Sequence, residues 1–408
     1  MTQEVNNVMT PPIHIIGAGI GGLTLARCFR NRGIQAVIFE KNPSPAKHNY
    51  GISLQPWAWR LLVKELGIEE GRLLGRVAVD GDGDGGSRGL KYLDSDSRSA
   101  FGEDGRGVVP LRAHRGRLEG LLREGLEGTV RWGHVLRDVE MGGDGNGIGN
   151  RMGGVLRFED KPDIRSLLVV DTSGVHSSVR KSLLPATELN VLPYVVFRGT
   201  RRIERKVFEE VYEAAFERGT VLKTRVGEVL LQIWIDDVKE EGGRVDLSIV
   251  YSRPSKDNDP LHRPGRDLSQ ASDISEAFFE EVSKLSLQGL GQPWKDAFAV
   301  DDVRKARTLH WLMRDVLVER RELDRLGREG VVFIGDSAHA LPILGGEGAN
   351  FAIRDAVELA GFVEESLKEG KELDVSGFYG KMFGEWKEGI RAAEERLRDI
   401  HAGGKSSL

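Results

Sequence analysis

The sequence predicts an α/β fold with a parallel sheet and helices, a second domain built on a β-sheet, and C-terminal helices. Three stretches of the 408-residue chain lead to this class. Residues 13–40 read as strand, glycine turn, helix and second strand, with the continuous apolar strands typical of parallel sheets. Residues 190–315 are β-rich with turn residues between the runs, and residues 331–334 return to a buried apolar strand. We therefore expect a distant segment to complete the first domain.

The glycine turn has the spacing G-x-G-x-x-G, with Gly17, Gly19 and Gly22 following the first predicted strand. In a Rossmann-type unit the first glycine permits the tight turn, the second admits a pyrophosphate, and the third allows close helix–strand packing. The start of the next helix offers unpaired N–H groups to phosphate. Glu40 ends the second strand, where an acidic residue accepts hydrogen bonds from a ribose. Glycines also serve plain turns, but this combination favours dinucleotide binding.

Composition excludes several functional classes. The net charge of −5 gives no basic surplus for nucleic acid or for an acidic membrane face. A single cysteine, Cys28, allows neither an intramolecular disulfide nor a cysteine-based metal cluster, and its apolar neighbours predict a core position. No stretch approaches the roughly 18 apolar residues that a membrane helix needs. We expect a cytoplasmic protein without a metal site, a nucleic-acid partner or a membrane segment, whose oligomeric state the sequence does not give.

Three motifs in order carry a resemblance to a known family. They are "GAGIGGLTLA…FEK" from residue 17, "AHRGRLEGLL" from residue 113, and "GDSAHALPILGGEGANFAIRDAVELA" from residue 335. Together they resemble the FAD-dependent monooxygenases of the aromatic-hydroxylase type (group A flavoproteins), including many fungal biosynthetic members. The resemblance runs over nearly the whole chain and implies FAD as the cofactor.

The resemblance also gives roles to single residues. It implies that Asp336 accepts a hydrogen bond from the ribityl chain and that Arg115 touches the pyrophosphate–ribityl region. The alternatives are a helix cap at Asp336 and a solvated arginine at Arg115. The helix after the turn 345–348 would direct its N–H groups at the flavin edge where negative charge develops. The predicted cofactor-binding residues are Gly17, Gly19, Ile20, Gly21, Gly22, Glu40, Lys41, Gly51, Arg115, Asp336, Gly346, Gly348, Ala349 and Asn350.

The sequence departs from the family pattern at three places. In "DTSGVHSSVR" Ser173 stands where the family usually has aspartate, and Asp171 lies two residues earlier. That motif is linked in the family to both FAD and NAD(P)H, so this departure bears on the use of a pyridine nucleotide. Ile343 replaces a common proline, which predicts a different local shape. Glu347 replaces the usual glutamine and adds a charge near the flavin edge.

The substrate side is expected in the β-rich segment. "YVVFRGTR" resembles the strand that carries a substrate-facing arginine in some fungal dearomatising members, so Arg198 is the candidate catalytic residue, orienting a phenolate. A surface arginine at a strand edge is the open alternative. Tyr194, Phe197 and Trp234 are candidate pocket aromatics, but alternation alone does not assign their faces. The resemblance implies that His339 is structural.

We divide the chain accordingly. The predicted parts are a flexible tail at 1–11, a discontinuous FAD-binding domain at 12–78, 103–185 and 330–365, a substrate domain at 79–102 and 186–329, and C-terminal helices and a tail at 366–408. The glycine-rich stretches 80–107 and 142–154 are predicted as a surface loop or hairpin and as a loose hairpin loop.

The predicted function is that of an FAD-dependent monooxygenase using NAD(P)H and O2 to hydroxylate or epoxidise a small organic substrate, aromatic or phenolic. The resemblance implies that NAD(P)H reduces FAD and that oxygen adds at flavin C4a to give a hydroperoxide, which oxygenates an electron-rich ring or alkene. No protein nucleophile is needed. The alternatives are a flavoprotein dehydrogenase, oxidase or reductase on the same fold, and a non-catalytic FAD-containing protein.

Overall fold

A computed structural model gives the structure of the chain and describes residues 11–81, 110–141, 154–217, 219–238, 243–370 and 373–402. Both predicted glycine-rich loops lie almost wholly outside these ranges, as do most of the N-terminal tail and the last six residues. The strands, in chain order, are β1 (Ile13–Ile16), β2 (Ala36–Glu40), β3 (Gly51–Leu54), β4 (Leu111–His114), β5 (Val130–Trp132), β6 (Leu136–Met141), β7 (Gly154–Phe158), β8 (Ile164–Ser166), β9 (Val169–Asp171), β10 (Asn190–Val191), β11 (Tyr194–Glu204), β12 (Val221–Val226), β13 (Val229–Val238), β14 (Arg244–Pro254), β15 (Arg307–Trp311), β16 (Arg314–Leu317), β17 (Val331–Phe333) and β18 (His339–Ala340).

Helices and strands are interspersed in the N-terminal part of the chain and again around β17, as in an α/β fold. Short 3₁₀ turns at Gly335–Ser337 and Ile343–Gly345 precede the two longest helices. The helices are α1 (Ile20–Asn31), α2 (Pro56–Leu66), α3 (Glu70–Val77), α4 (Arg115–Arg123), α5 (Ser178–Leu183), α6 (Arg205–Val207), α7 (Glu276–Ser286), α8 (Trp294–Ala297), α9 (Val300–Lys305), α10 (Arg320–Arg328), α11 (Gly348–Lys368) and α12 (Ser376–Ala402).

The first sheet has five parallel strands in the order β17–β9–β1–β2–β5. All four residues of β1 are buried, because helices cover both faces of a sheet of this kind. Strand β17 comes from near residue 331 and pairs with β9 from Val331 opposite Val169 to Phe333 opposite Asp171. The predicted fold class and the completion of the first sheet by a distant segment are therefore confirmed.

The second sheet has five antiparallel strands in the order β12–β13–β14–β11–β15. Strands β11 and β14 pair along their whole length, from Tyr194 opposite Pro254 to Glu204 opposite Arg244. One face packs on Phe278 and Val282 of α7 and forms a closed apolar core. The other face, with Val196 and Val250, meets the C-terminal helix α12 at Leu397. The two faces are thus closed by different parts of the chain.

Helix α12 joins the two sheets. Near its start, the hydroxyl of Tyr379 accepts a hydrogen bond from the backbone N–H of Phe333 in β17, at 2.9 Å. Near its end, the imidazole Nε2 of His401 lies 3.0 Å from the hydroxyl of Ser252 in β14. We keep the domain boundaries given above as a proposal. Among the helices within the described ranges, none is both long and apolar enough to cross a membrane.

Candidate active site

A cleft of about 370 Å³ opens at the carboxyl ends of β1 and β2, beside the glycine turn. Its walls come from parts of the chain that are distant in sequence: this turn, the end of β2, helix α4, and the segment between β17 and α11. Crevices at the carboxyl ends of parallel strands are the usual ligand sites of such sheets. Most of the predicted cofactor residues line the cleft, namely Gly17, Gly19, Ile20, Gly21, Glu40, Lys41, Arg115, Asp336, Gly348 and Ala349.

The glycine turn keeps the entrance to helix α1 open. Gly17 has a φ of +103°, and a Cβ there would lie only 2.9 Å from the Cα of Ser173. A Cβ on Gly22 would lie 2.1 Å from the carbonyl oxygen of Gly17, so the helix approaches the turn only without a side chain. A Cβ on Gly19 would meet nothing within 4 Å. The free space therefore lies in front of the helix N-terminus, where backbone N–H groups can bind a phosphate.

Glu40 holds this turn against the end of β2. Its Oε2 accepts a hydrogen bond from the backbone N–H of Ala18 at 2.8 Å, and its Oε1 accepts one from that of Asn42 at 2.9 Å. A carboxylate has about four lone-pair sites, so acceptor capacity remains for a ribose hydroxyl. The structure thus adds a turn-holding contact to the predicted ribose contact, which stays a prediction.

Asp336 lies in the 3₁₀ turn after β17 and lines the cleft. Among the residues that the structure describes, none donates a hydrogen bond to its carboxylate. Burial raises the pKa of this carboxyl group above its usual value, and the nearby His339, Arg115 and Arg180 offset only part of that effect. A Cβ on Gly348 would lie 3.1 Å from its Oδ1, so α11 starts directly beside it. The carboxylate of Asp336 can therefore accept hydrogen bonds from a ligand in the cleft.

Positively charged side chains of helix α4 also line the cleft. The guanidinium of Arg115 donates from Nε to Glu119 at 2.8 Å and from Nη1 to the hydroxyl of Tyr50. Arg123, which is not among the predicted cofactor residues, also lines the cleft, as does Lys41 from the end of β2. Arg115, Glu119 and Arg123 are spaced four residues apart and so share one helix face, a signal that could have identified Arg123.

Four predicted cofactor residues do not line this cleft. Gly22 supports the turn from behind. Gly346 has a φ of +79° and ends the 3₁₀ turn before α11. The side chain of Asn350 is fully buried; it accepts from the backbone N–H of Gln55 and donates to the carbonyl oxygen of Ser53, which ties the start of α11 to the end of β3. Gly51 faces the antiparallel sheet. Their contacts with the cofactor stay predictions.

The "DTSG" segment crosses the floor of the cleft. Ser173 and Gly174 line it, whereas Asp171 is fully buried at the end of β9. The carboxylate of Asp171 accepts hydrogen bonds from the backbone and hydroxyl of Ser173 and from the hydroxyl of Ser177. Burial raises the pKa of Asp171 despite these bonds. In this segment the carboxylate of Asp171 therefore lies behind the cleft, and the residue at the cleft surface is Ser173.

His339 has a structural environment. Its ring is fully buried, stacks on Trp386 with centroids 4.3 Å apart, and lies with Nε2 2.6 Å from a carboxylate oxygen of Asp355. The same Asp355 accepts hydrogen bonds from the indole of Trp386 at 2.9 Å and from the backbone N–H of Gly335 at 2.8 Å. This group of contacts joins α11, α12 and the turn that carries the predicted ribityl partner. Cys28 is also buried, which raises its thiol pKa, in agreement with the predicted core position.

The remaining two departures have different surroundings. Ile343 is half exposed, at 50%. Glu347 is buried immediately before α11, and one carboxylate oxygen accepts a hydrogen bond from Arg396 of α12 at 2.7 Å. The sequence predicts Glu347 as an added charge near the flavin edge. The structure pairs that charge with a cation from the C-terminal helix.

Arg198 lies on the face of the antiparallel sheet that is turned away from α7. Its strand is interior, and the residue is only 7% exposed, so it is not a surface arginine at a strand edge. Its Nε donates to the hydroxyl of Ser248 at 2.9 Å, and its Nη2 donates to Asp236 at 3.1 Å. Its guanidinium carbon lies 5.2 Å from the ring centre of Tyr50 and 5.6 Å from that of Trp311. The guanidinium is thus within cation–π distance of two aromatic rings.

A second arginine shares the carboxylate of Asp236. Arg112 lies 3.5 Å from Asp236 Oδ1 through its Nη2, and its guanidinium carbon lies 5.1 Å from the ring centre of Trp234. Asp236 is fully buried and also accepts a hydrogen bond from the backbone N–H of Gly51 at 2.9 Å. The register of β13 against β14 shifts between residues 235 and 237, and such a bulge redirects a side chain. That irregularity explains why alternation did not identify Asp236.

The candidate pocket aromatics separate onto the two faces of the sheet. Tyr194 and Trp234 belong to the apolar cluster beside α12, on the same face as Arg198. Phe197 lies on the opposite face, where it stacks on Phe278 and on His310 with ring centres 4.0 and 5.0 Å apart. Its place is the closed core beneath the sheet, so it does not belong to the Arg198 face.

The chemistry of the cleft fits a flavin dinucleotide. The open side of the turn at Gly19 fits a phosphate, the cations Lys41 and Arg115 fit its charge, and the unbonded carboxylate of Asp336 fits a hydroxyl-bearing chain. A parallel sheet with this glycine turn, next to a second sheet with an enclosed arginine face, defines a flavoprotein oxidoreductase of two-sheet architecture.

Comparison with known proteins narrows this class. The sequence matches the FAD binding domain family over residues 289–373 and the NAD(P)-binding Rossmann-like domain family over residues 15–56. It is 33% identical to the FAD-dependent monooxygenase aptC of Emericella nidulans, with 96% of each chain covered. It is 32% identical to the FAD-dependent monooxygenase adaC of Aspergillus niger, covering 96% of this chain and 94% of that protein. The fold is similar to that of 2,6-dihydroxypyridine-3-hydroxylase from Arthrobacter nicotinovorans, with a TM-score of 0.69, 19% identity, and 97% and 94% of the two chains covered.

The chain therefore belongs to the family of FAD-dependent monooxygenases, and it is an oxidoreductase that binds FAD. The family that the three motifs indicate is confirmed.

Proposed function

We propose that this FAD-dependent monooxygenase uses NAD(P)H and O2 to hydroxylate or epoxidise a small aromatic substrate that binds as a phenolate. One observation carries the substrate part of this proposal: the guanidinium of Arg198 is buried and lies 5.2 Å from the ring centre of Tyr50 and 5.6 Å from that of Trp311. A planar cation beside aromatic rings, on a sheet face that α12 covers, suits a flat anion. The compartment that we propose is the cytoplasm.

The residues of the cleft would hold FAD as follows. The backbone N–H groups after Gly19 and the N-terminus of α1 would bind the pyrophosphate, and Glu40 would accept from the adenosine ribose. Asp336 would accept from the ribityl chain, and the first residues of α11 would face the flavin edge. The chemistry that FAD supplies when bound is electron transfer and the activation of O2.

The protein's own contribution on the substrate side is binding and orientation. Arg198 would hold the phenolate oxygen, because a guanidinium nearby favours the ionised form of a phenol. An ionised ring is richer in electrons, and a fixed ring presents one carbon to the oxidant. Helix α12, with Leu397 against Val250, covers this face and would exclude water from it.

A surface rich in cations supports NAD(P)H as the reductant. Arg314 lies 3.4 Å from His176 through its Nη1, and Arg266 donates to His310 at 3.2 Å. Burial, followed by the nearby Arg266 and Arg263, lowers the pKa of His310 to about 3; burial and then Arg314 lower that of His176 to about 4. Within the described ranges, none of these three arginines forms an ion pair with a carboxylate. An unneutralised cluster of this kind suits the phosphates of a pyridine nucleotide.

The test is oxygen incorporation. Purified protein with FAD is incubated with NADH or NADPH under ¹⁸O2, with a panel of phenols, and nucleotide consumption and product mass are measured. We expect at least one phenol to accelerate nucleotide oxidation and to gain one labelled oxygen atom. Nucleotide oxidation without labelled product would instead favour a dehydrogenase, oxidase or reductase. A flavin that neither nucleotide reduces, with any ligand, would favour a non-catalytic protein.

A further inference from the structure

We propose that Arg112 supplies the positive charge with which the Arg198 face binds an anion, and that Asp236 is the positioning residue for both guanidiniums. This inference rests on the proposed function, which places the substrate at Arg198. It adds a second arginine and a carboxylate that no sequence motif selects.

Three charged side chains meet at one point of this sheet face, namely Arg198, Arg112 and Asp236. Asp236 accepts from Arg198 Nη2 at 3.1 Å on one oxygen and lies 3.5 Å from Arg112 Nη2 on the other. Both oxygens gain a further donor, the hydroxyl of Ser248 and the backbone N–H of Gly51. Both oxygens of this carboxylate are therefore fully engaged by protein donors. Two guanidiniums and one carboxylate leave a single positive charge on the group.

Arg198 alone would not bind an anion strongly in this setting. Paired with Asp236 it forms a neutral unit, and an added anion would face the carboxylate as well as the guanidinium. The guanidinium of Arg112 offsets the repulsion between the carboxylate of Asp236 and the added anion. The effect is strong because all three side chains are at least nine-tenths buried, at 7% exposure for Arg198, 5% for Arg112 and 0% for Asp236, where water screens charges least.

The group is also rigid. Arg112 Nε donates to the carbonyl oxygen of Ile235 at 3.4 Å, and a Cβ on Gly51 would come within 2.5 Å of that same Nε. The backbone of Gly51 is therefore pressed against the guanidinium. Since β3 and β4 carry Gly51 and Arg112 while β13 carries Asp236, the charged group spans the junction of the two parts of the chain.

The aromatic side chains around the two guanidiniums indicate the kind of ligand that this group would bind. The rings of Tyr50, Trp234 and Trp311 lie 5.1–5.6 Å from the guanidinium carbons, so the excess charge is flanked by flat apolar surfaces. A singly charged, planar aromatic anion matches both features. Its neutral O-methyl ether matches the shape and lacks the charge, which makes it the control ligand.

The experiment measures binding to the oxidised FAD-containing protein without turnover, so that no catalytic step enters. The probes are nitrophenols and hydroxynaphthoquinones at a pH where they are ionised, each compared with its methyl ether. We expect R112Q to bind the anions at least about tenfold more weakly than wild type, with ether binding little changed. R112K keeps the charge and should retain most of the preference for anions.

The double variant R112Q/D236N tests the charge count itself. It restores one positive charge by removing the carboxylate, so it should recover most of the anion binding that R112Q loses. The inference is overturned if R112Q binds the anions as wild type does, if R112K is as weak as R112Q, or if the double variant shows no recovery. Wild-type protein that binds no probe anion better than its ether overturns it as well.

The same measurements separate this inference from the proposed function. If R198Q loses anion binding and R112Q does not, the charge argument for Arg112 fails while Arg198 remains the anchor. If R198Q and R112Q both bind the anions as wild type does, the role of Arg198 itself is wrong.

Discussion

At the scale of single residues, the carboxylate of Asp336 is the acceptor that we propose for the ribityl chain of FAD. It has no hydrogen-bond donor among the described residues, and burial raises its pKa, so it contributes little to the stability of the protein without cofactor. Asp336→Ala should therefore lower FAD affinity about tenfold to a hundredfold, because a hydrogen bond to a charged group is worth about 1.5–3 kcal/mol. The melting temperature of the FAD-free protein should stay the same or rise. Titration of FAD into both proteins checks this, and equal affinities would contradict the assigned role.

The second prediction at this scale concerns Arg198. Arg198→Ala should keep FAD and its spectrum while losing most product formation, or it should uncouple nucleotide oxidation to peroxide. Arg198→Lys should recover only part, because a point charge does not reproduce a planar donor with two faces. Arg202, on the same strand but with its side chain 56% exposed, gives the matched control, and Arg202→Ala should turn over normally. Loss of FAD from the Arg198 variant would place this residue in the cofactor site instead.

The sequence predicts residues whose roles depend on local backbone geometry. Gly17, Gly19 and Glu40 are recognisable because a strand, a turn and a helix adjoin them in the chain. Asp236 and Arg112 are not, since they meet across about 120 residues and through a bulge that breaks alternation. Long-range charge pairing of this kind leaves no periodic signal in a single sequence.

At the scale of elements, the most consequential contact joins the two longest helices. Asp355 of α11 accepts three hydrogen bonds. The donors are the backbone N–H of Gly335, the ring of His339 and the indole of Trp386 of α12. Asp355→Ala would leave these buried donors without an acceptor, at about 1–3 kcal/mol each. We expect the free energy of unfolding to fall by about 3 kcal/mol or more in urea titrations of the FAD-free protein.

Glu358 provides the control on the same helix. It pairs with Lys381 of α12 near the surface, where the lysine side chain is 56% exposed. Glu358→Ala should change the free energy of unfolding by no more than about 1 kcal/mol. If Asp355→Ala and Glu358→Ala unfold at the same urea concentration, the buried contacts do not hold the two helices together as described.

Element type was predictable and element orientation was not. Periods of 2 and 3.6 residues mark strands and helices, and the runs near 13–40, 190–315 and 331–334 are confirmed as the elements expected. Alternation gives the parity of side chains on β11 but not which parity meets α12. Phe197 could be assigned to the closed core, and Arg198 to the opposite face, only from the helices that pack on each face, α7 and α12.

At the scale of the whole molecule, buried histidines make stability depend on pH. His310 is fully buried, and its pKa is lowered to about 3 by burial first and then by Arg266, Arg263, His262 and Arg314. Below the ordinary value of 6.5 the unfolded chain binds a proton that the folded protein refuses, so stability falls as pH falls towards 3. Between pH 6.5 and 5 this amounts to about 2 kcal/mol.

The variant His310→Gln isolates this contribution. Its amide oxygen can still accept from Arg266, but it does not titrate. We expect urea midpoints of the variant to fall less than those of wild type between pH 7.5 and 5, whatever the offset between them at pH 7.5. Parallel midpoints across this range would show that His310 is protonated as easily in the folded protein as in the unfolded one.

The order of strands in the parallel sheet also has a consequence for synthesis on the ribosome. Strand β9 lies between β1 and β17, and β17 begins only at Val331, so most of the chain must emerge before that sheet can close. The antiparallel sheet, by contrast, is complete once Trp311 has emerged. A nascent chain can thus form the antiparallel sheet first, whereas Asp336 and α11, which we propose to contact FAD, reach the cleft only near the end of translation. On this proposal FAD is a late ligand, since a chain released early would carry the glycine turn without the carboxylate of Asp336.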